Sequence, residues 1–200
     1  MAKASQNSRA VADFYAQKAK RDGYPARSVY KLEEIDKKWN LIGRGAHILD
    51  VGAAPGSWSL YTLKKIGSDG FLCSVDLKPM AIKATSNCLF LQGDAFSDKI
   101  ITELSSYGLY DGVICDAAPH TTGNRLVDSS ASTNLVEQVI ELSAKVVKEE
   151  GFLVVKIFQG GEEKRLVNLI EEFYHQCKKL KPKACRSDSF ESYLIGLKHK

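Results

Sequence analysis

The chain has 200 residues, 44% of them hydrophobic, which is enough for one domain with a full core and too few for a second large one. No run of 18 uncharged apolar residues occurs and the start, MAKASQNSRAVADF, lacks the apolar middle of a secretory signal, so the expectation is a cytoplasmic protein outside the membrane. The net charge of +4 is segregated: residues 1–31 and 178–200 each carry seven Lys or Arg against two acids, which leaves residues 32–177 at −6 and suggests a polyanion footprint. The five cysteines, 73, 88, 115, 177 and 185, show no C-x-x-C spacing and read as small buried hydrophobes, without a disulfide or metal framework.

In chain order, residues 1–40 read as a basic arm followed by an amphipathic helix, and 41–200 as the core of a single domain. Lys18, Lys20, Arg21 and Arg27 are interleaved with Tyr15, Tyr24 and Tyr30, a mixture suited to RNA because rings stack on bases. Lysine-rich ends are also ordinary solvated surface. Val29, Leu32, Ile35 and Trp39 recur at helical spacing, which predicts a helix over 27–38 docked on the core. Strand-like runs follow at 46–51, 70–76, 88–92, 111–115 and 151–157, with helical patterns at 56–66, 131–148 and 162–174 between them. That alternation predicts an α/β fold with a mainly parallel sheet covered by helices on both faces. After Pro182, the run YLIGL at 193–197 reads as a final strand with no helix behind it, in an edge hairpin.

The stretch DVGAAPGSW, residues 50–58, carries the most information. It describes a strand that stops, a tight turn and a helix that begins at once, the arrangement that holds a nucleoside-bearing cofactor in open α/β sheets. Pro55 suits a first helical turn, and Gly52 and Gly56 let backbone approach a ligand. The glycines are spaced G-x-x-x-G, and neither G-x-G-x-x-G nor G-K-[ST] is present. A cofactor without a pyrophosphate is favoured, and S-adenosyl-methionine fits.

Ligands in such sheets lie beyond the carboxyl ends of the strands. Asp50, Asp76, Asp94 and Asp116 stand at four successive strand ends, an arrangement that turn-forming or capping roles explain one residue at a time but not together. Asp76, about 20 residues beyond the glycine loop, is placed for ribose hydroxyls, and Asp94 for an adenine amino group. Trp58, just inside the helix, reads either as core or as a ligand contact. Lys156 interrupts the apolar strand GFLVVKIF and needs a carboxylate partner or a function, and Asp116, at the equivalent end of the neighbouring strand, is within its reach.

With these motifs the chain resembles the FtsJ/RrmJ-type ribose 2′-O-methyltransferases. The resemblance runs from about residue 14 to 197 through RSVYKLEEI, LDVGAAPGSWS, VDLKPM, LQGD, CDAAPHTTGN, VVKIFQG and FESYLIG. It implies a Rossmann-like, seven-stranded sheet whose last strand is antiparallel, with S-adenosyl-methionine as cofactor and no metal. It implies a catalytic tetrad of Lys31, Asp116, Lys156 and Glu191, with Lys156 as proton acceptor. It also implies a cofactor site lined by Gly56, Trp58, Asp76, Asp94 and Asp116, to which the turn residues Gly52 and Pro55 are joined. Ser57 replaces a usual second glycine, and Phe190-Glu191-Ser192 replaces the usual R-E-V flank.

Transfer to a ribose hydroxyl is an in-line displacement, so the protein must align the oxygen and remove its proton. An ammonium accepts no proton, which makes an optimum on the alkaline side the expectation, with Lys31 steering the hydroxyl. The short chain is most similar to the branch that methylates a uridine in large-subunit ribosomal RNA, acting on a ribosomal particle as a monomer and not on DNA. Transfer RNA is the alternative substrate. A nicotinamide oxidoreductase, disfavoured by the missing G-x-G-x-x-G, and a non-catalytic RNA-binding module, disfavoured by the intact tetrad, are the rival readings.

Overall fold

The computed structural model describes residues 14–83, 85–186 and 189–200. The basic arm expected over 1–40 therefore lies in part, over 1–13, outside the described residues. Its remainder is helical at 14–21 (α1), with Ala19 buried, where the sequence pattern suggested only a loose arm. The elements that follow are α2 (Val29–Trp39), β1 (His47–Val51), α3 (Ser57–Ile66), β2 (Phe71–Asp76), β3 (Cys88–Gln92), α4 (Asp98–Ser106), β4 (Tyr110–Cys115), α5 (Arg125–Val146), β5 (Val147–Phe158), α6 (Glu163–Phe173), β6 (Tyr174–Leu180) and β7 (Glu191–His199).

The seven strands form one sheet in the order β3-β2-β1-β4-β5-β7-β6. β1 pairs in parallel with β2 and β4, β2 with β3, and β4 with β5, while β7 runs antiparallel between β5 and β6. The strands are short and apolar because both faces are covered. Side chains alternate, so Leu49, Val113 and Val155 meet Val136, Val139 and Ile170 of α5 and α6 on one face. Ile48, Leu72, Ile114 and Val154 meet Leu32, Ile35 and Ile66 of α2 and α3 on the other. Leu32 and Ile35 are fully buried, each contributing about 2 kcal/mol.

Three elements differ from the sequence reading. The edge is β6, a strand that the pattern YHQCKKL conceals because only Tyr174 is fully buried. The final strand, β7, lies between β5 and β6, and with β6 it forms the expected hairpin at the sheet edge. α4 was also hidden, since it is a nine-residue helix with two buried positions. α5 begins at Arg125, ahead of the expected 131, because Asn124 accepts from the N–H groups of Leu126 and Val127 and caps the helix there.

Asp36 fixes α2 against α3. Its buried carboxylate accepts from the Ile42 N–H at 2.8 Å and the Tyr61 hydroxyl at 2.7 Å, and pairs with Lys65 at 3.0 Å. This clamp determines where Lys31, one turn earlier on α2, is held.

Candidate active site

Two ion pairs converge at the carboxyl end of the sheet centre. Cys115 at the end of β4 is in register with Val155, which sets Asp116 beside Lys156, and the Lys156 ammonium lies 3.1 Å from Asp116 Oδ1. Lys156 also donates to the main-chain carbonyl of Asp116. Glu191 opens β7 opposite Phe158, and its Oε1 pairs with Lys31 Nζ of α2 at 2.9 Å. All four side chains are nearly withdrawn from solvent, between 8% and 18% exposed, where charges are tolerated only in pairs.

Tyr193 joins the two pairs, and the sequence reading passed over it. It is fully buried, it faces Lys156 across β5 and β7, and its hydroxyl donates to Asp116 Oδ1 at 2.6 Å. The Lys31 ammonium sits 5.8 Å from the centre of its ring. The available signal was period two: a residue two beyond Glu191 in a strand shares its face. Burial, and then the Asp116 and Glu191 charges, push the Tyr193 hydroxyl well above its ordinary range, so it stays a donor. Burial works against the Lys31 ammonium, but Asp116 and Glu191 outweigh it and hold the group protonated beyond its usual range. Burial likewise opposes ionisation of Asp116, and Lys156, Lys31 and the Tyr193 hydrogen bond overcome it and keep the carboxyl low.

The turn after β1 meets the acid that ends β2. The Asp76 carboxylate accepts from the Ala54 N–H at 2.9 Å and the Lys78 N–H at 2.8 Å, so it ties that turn to the loop after β2. Asp94 is exposed and uses Oδ1 on the Phe96 N–H at 3.0 Å, leaving Oδ2 open. Leu77, next to Asp76, is 71% exposed, an apolar side chain that sequence reasoning did not single out. Two exposed or half-exposed carboxylates and an exposed apolar side chain suit a neutral sugar and an aromatic base.

The glycines of the turn are also required by local packing. Gly52, at φ 72°, lies where a Cβ would come within 2.5 Å of Ala117 Cβ, so its first need is packing against the loop after β4. Gly56, at φ 108°, caps α3 and would meet Ile82 at 2.9 Å. Pro55 precedes that cap and does not occupy the first helical turn; its carbonyl accepts from the Ala81 N–H. Trp58 is 3% exposed. Its indole donates to the Ser28 carbonyl at 2.9 Å and its ring lies 5.8 Å from that of Tyr193, so the side chain packs between α2 and the buried ion pairs.

Asp50 is also withdrawn. Its carboxyl is 1% exposed and accepts from the Ser59 hydroxyl at 2.6 Å, and burial pushes it up to about 7. A carboxyl raised from about 3.9 in the unfolded chain makes folding most favourable below that range, with the contribution lost as pH rises through 7. Asp50→Asn is expected to abolish about 3 kcal/mol of stability loss between pH 5 and pH 8, measured by chemical denaturation at both values.

The expected RNA-contacting cations lie on α1 and the turn after it. Lys20 and Arg21 are exposed, the Lys18 ammonium stands 3.9 Å over the Tyr30 ring, and Arg27 donates to the Ala184 carbonyl at 3.4 Å. Lys20, Tyr24 and Arg27 line a cleft of about 750 Å³ that reaches Pro55 and Ile82 at the glycine turn. No cluster of metal-ligating side chains and no helix long and apolar enough to cross a membrane occurs among the described residues.

A family model, FtsJ-like methyltransferase, matches residues 24–199. The ribosomal RNA large subunit methyltransferase E of Treponema denticola is 46% identical over 197 residues, covering 98% of this chain and 99% of its own. A Plasmodium falciparum structure described as a ribosomal RNA methyltransferase superposes with a TM-score of 0.76 at 24% identity, over 88% of this chain and 98% of that one. Aeropyrum pernix fibrillarin, solved with natively bound S-adenosyl-L-methionine, has a TM-score of 0.59 at 15% identity, over 78% of this chain and 68% of that one. These two likenesses establish the Rossmann-like methyltransferase fold.

Proposed function

Because the chain belongs to the FtsJ-like methyltransferase family, we propose that it methylates the 2′-hydroxyl of a uridine in large-subunit ribosomal RNA. The observation that carries this reading is the buried cluster of Lys31, Asp116, Lys156, Glu191 and Tyr193. S-adenosyl-methionine is the cofactor and supplies an activated methyl group. Asp76 and Asp94 fit it as acceptors for hydroxyl and amino groups, because each carboxylate keeps accepting capacity beyond its main-chain partners, and Leu77 beside Asp76 is exposed.

In its neutral amine form, Lys156 takes the proton of the ribose hydroxyl and becomes an ammonium. Asp116 fixes Nζ at one position through a side-chain and a main-chain contact, which aligns it before substrate arrives. Lys31 stays cationic under the influence of Glu191 and Asp116, and so orients the hydroxyl oxygen without competing for its proton. Tyr193 holds Asp116 from beneath. Water is kept out of this floor by the core packing of Trp58 and Tyr193.

The test is transfer of a labelled methyl group from S-adenosyl-methionine to large-subunit particles and to transfer RNA in parallel. Label on ribosomal RNA supports the reading; label on transfer RNA alone keeps the chemistry and replaces the substrate.

Lys20 is exposed, Arg21 is exposed beside Asp22, and Lys18 stands over the Tyr30 ring, so these three lie together on one helix as the cations offered to phosphates, whereas Arg27 donates to the Ala184 carbonyl. RNA affinity should fall steeply with salt, and replacing Lys18, Lys20 and Arg21 by Gln should flatten the log–log salt slope by roughly 2. An unchanged slope would remove the basic helix from the interface.

A further inference from the structure

A second feature adjoins the tetrad on the same strand face. Side chains alternate along β5, so Phe158 shares the face of Lys156, about 7 Å further along the strand. Phe158 lies opposite Glu191 in β7, and the ring of Phe190, the preceding residue, stands 4.7 Å from that of Phe158. The Gln159 N–H donates to the Phe190 carbonyl at 2.8 Å, which fixes the approach of this segment. From the N-terminal turn of α5 the Arg125 guanidinium lies 5.5 Å over the Phe190 ring. Leu126 and Val127, next on that turn, are 77% and 50% exposed.

These residues border a cleft of about 470 Å³ lined by Arg125, Leu126, Gln159, Gly160, Gly161 and Glu163. Its backbone is held close: a Cβ on Gly160 would fall 1.5 Å from Ser129 Oγ, so the loop lies directly on α5. The one acid of the lining is already engaged, since Glu163 accepts from the Gly161 N–H at 2.8 Å and sits 3.5 Å from Lys179. The loop leading to Arg125 is fixed as well, because Asp128 accepts from the N–H groups of Thr122 and Gly123.

We infer that Phe190 and Arg125 form the subsite for the nucleotide adjoining the target, with the base against the aromatic and apolar surface and the phosphate toward the guanidinium. This rests on the RNA methyltransferase reading above. A half-buried ring with a cation over it, continuous with the tetrad and bordered by exposed apolar side chains, matches a base and its phosphate in size and charge. Stacking of this kind tolerates any base, so the subsite contributes affinity and positioning and leaves sequence choice to other contacts.

The test compares initial rates of methyl transfer to large-subunit ribosomal RNA for wild type, Phe190→Leu, Phe190→Tyr and Arg125→Gln. Leucine keeps apolar bulk against Phe158 but removes the π face, and tyrosine restores it. Phe190→Leu and Arg125→Gln should each raise the KM for RNA roughly tenfold, with Phe190→Tyr near wild type and cofactor affinity unchanged in all. A wild-type KM for Phe190→Leu, or a defect that tyrosine does not repair, would overturn the assignment. A wild type that labels no RNA would instead remove the reading on which the assignment rests.

Discussion

Lys156→Met is expected to lower methyl transfer at least ~1,000-fold, the upper part of the range for a positioned general base, while the dissociation constant for S-adenosyl-methionine changes little. Methionine keeps most of the length of the chain in a strand whose neighbours are fully packed, so the loss reports the amine and not a cavity. Lys156→Arg divides the role further. A guanidinium preserves the ion pair with Asp116 but accepts no proton. An inactive arginine variant that still folds places the requirement on proton transfer; an active one places it on charge alone. Single-turnover rates with saturating cofactor are the measurement, paired with a thermal shift on cofactor addition.

Asp116→Ala should have the second largest effect, and on two quantities. It leaves Lys156 without its carboxylate, removes a negative charge that favours the Lys31 cation, and removes the acceptor of the Tyr193 hydroxyl. Breaking a buried pair from one side costs about 3–5 kcal/mol, so both stability and activity should fall. Asp116→Asn separates the two, because its amide oxygen still accepts from Tyr193 while the charge is gone. The asparagine variant should recover much of the stability and little of the activity, as read by urea denaturation and transfer rate. Since the cations hold the Asp116 carboxyl low, its stabilising contribution is present above the ordinary carboxylate range and is lost as pH falls through the folded value. Asp116→Asn should therefore be less sensitive to acid than wild type.

What could be read from the sequence was whatever depends on local pattern. The glycine turn, the acids at strand ends and a lysine inside an apolar strand all lie within short windows, and the sheet brings Asp116 and Lys156 together by simple register of parallel neighbours. The seven-stranded order with its antiparallel last strand followed from the resemblance, not from periodicity, since β6 is half solvated and gives little alternation. Tyr193 was missed because its role arises only when β7 inserts beside β5 and sets it opposite Lys156. The packing of Gly52 is not legible in the sequence because the loop after β4, which meets it at Ala117, is more than 60 residues distant. Trp58 was open between core and ligand, and only the packing of α2 on α3 turns its ring toward Ser28 and Tyr193.

The central claim is that the methyl group goes to a ribose oxygen, and alkaline hydrolysis of the labelled RNA tests it most directly. Cleavage of an RNA chain by alkali needs a free 2′-hydroxyl, so a methylated ribose protects the bond on its 3′ side. The account predicts that label is recovered in alkali-stable dinucleotides, with 2′-O-methyluridine as the labelled nucleoside after full digestion. Label recovered in mononucleotides, carried on a base, would contradict it.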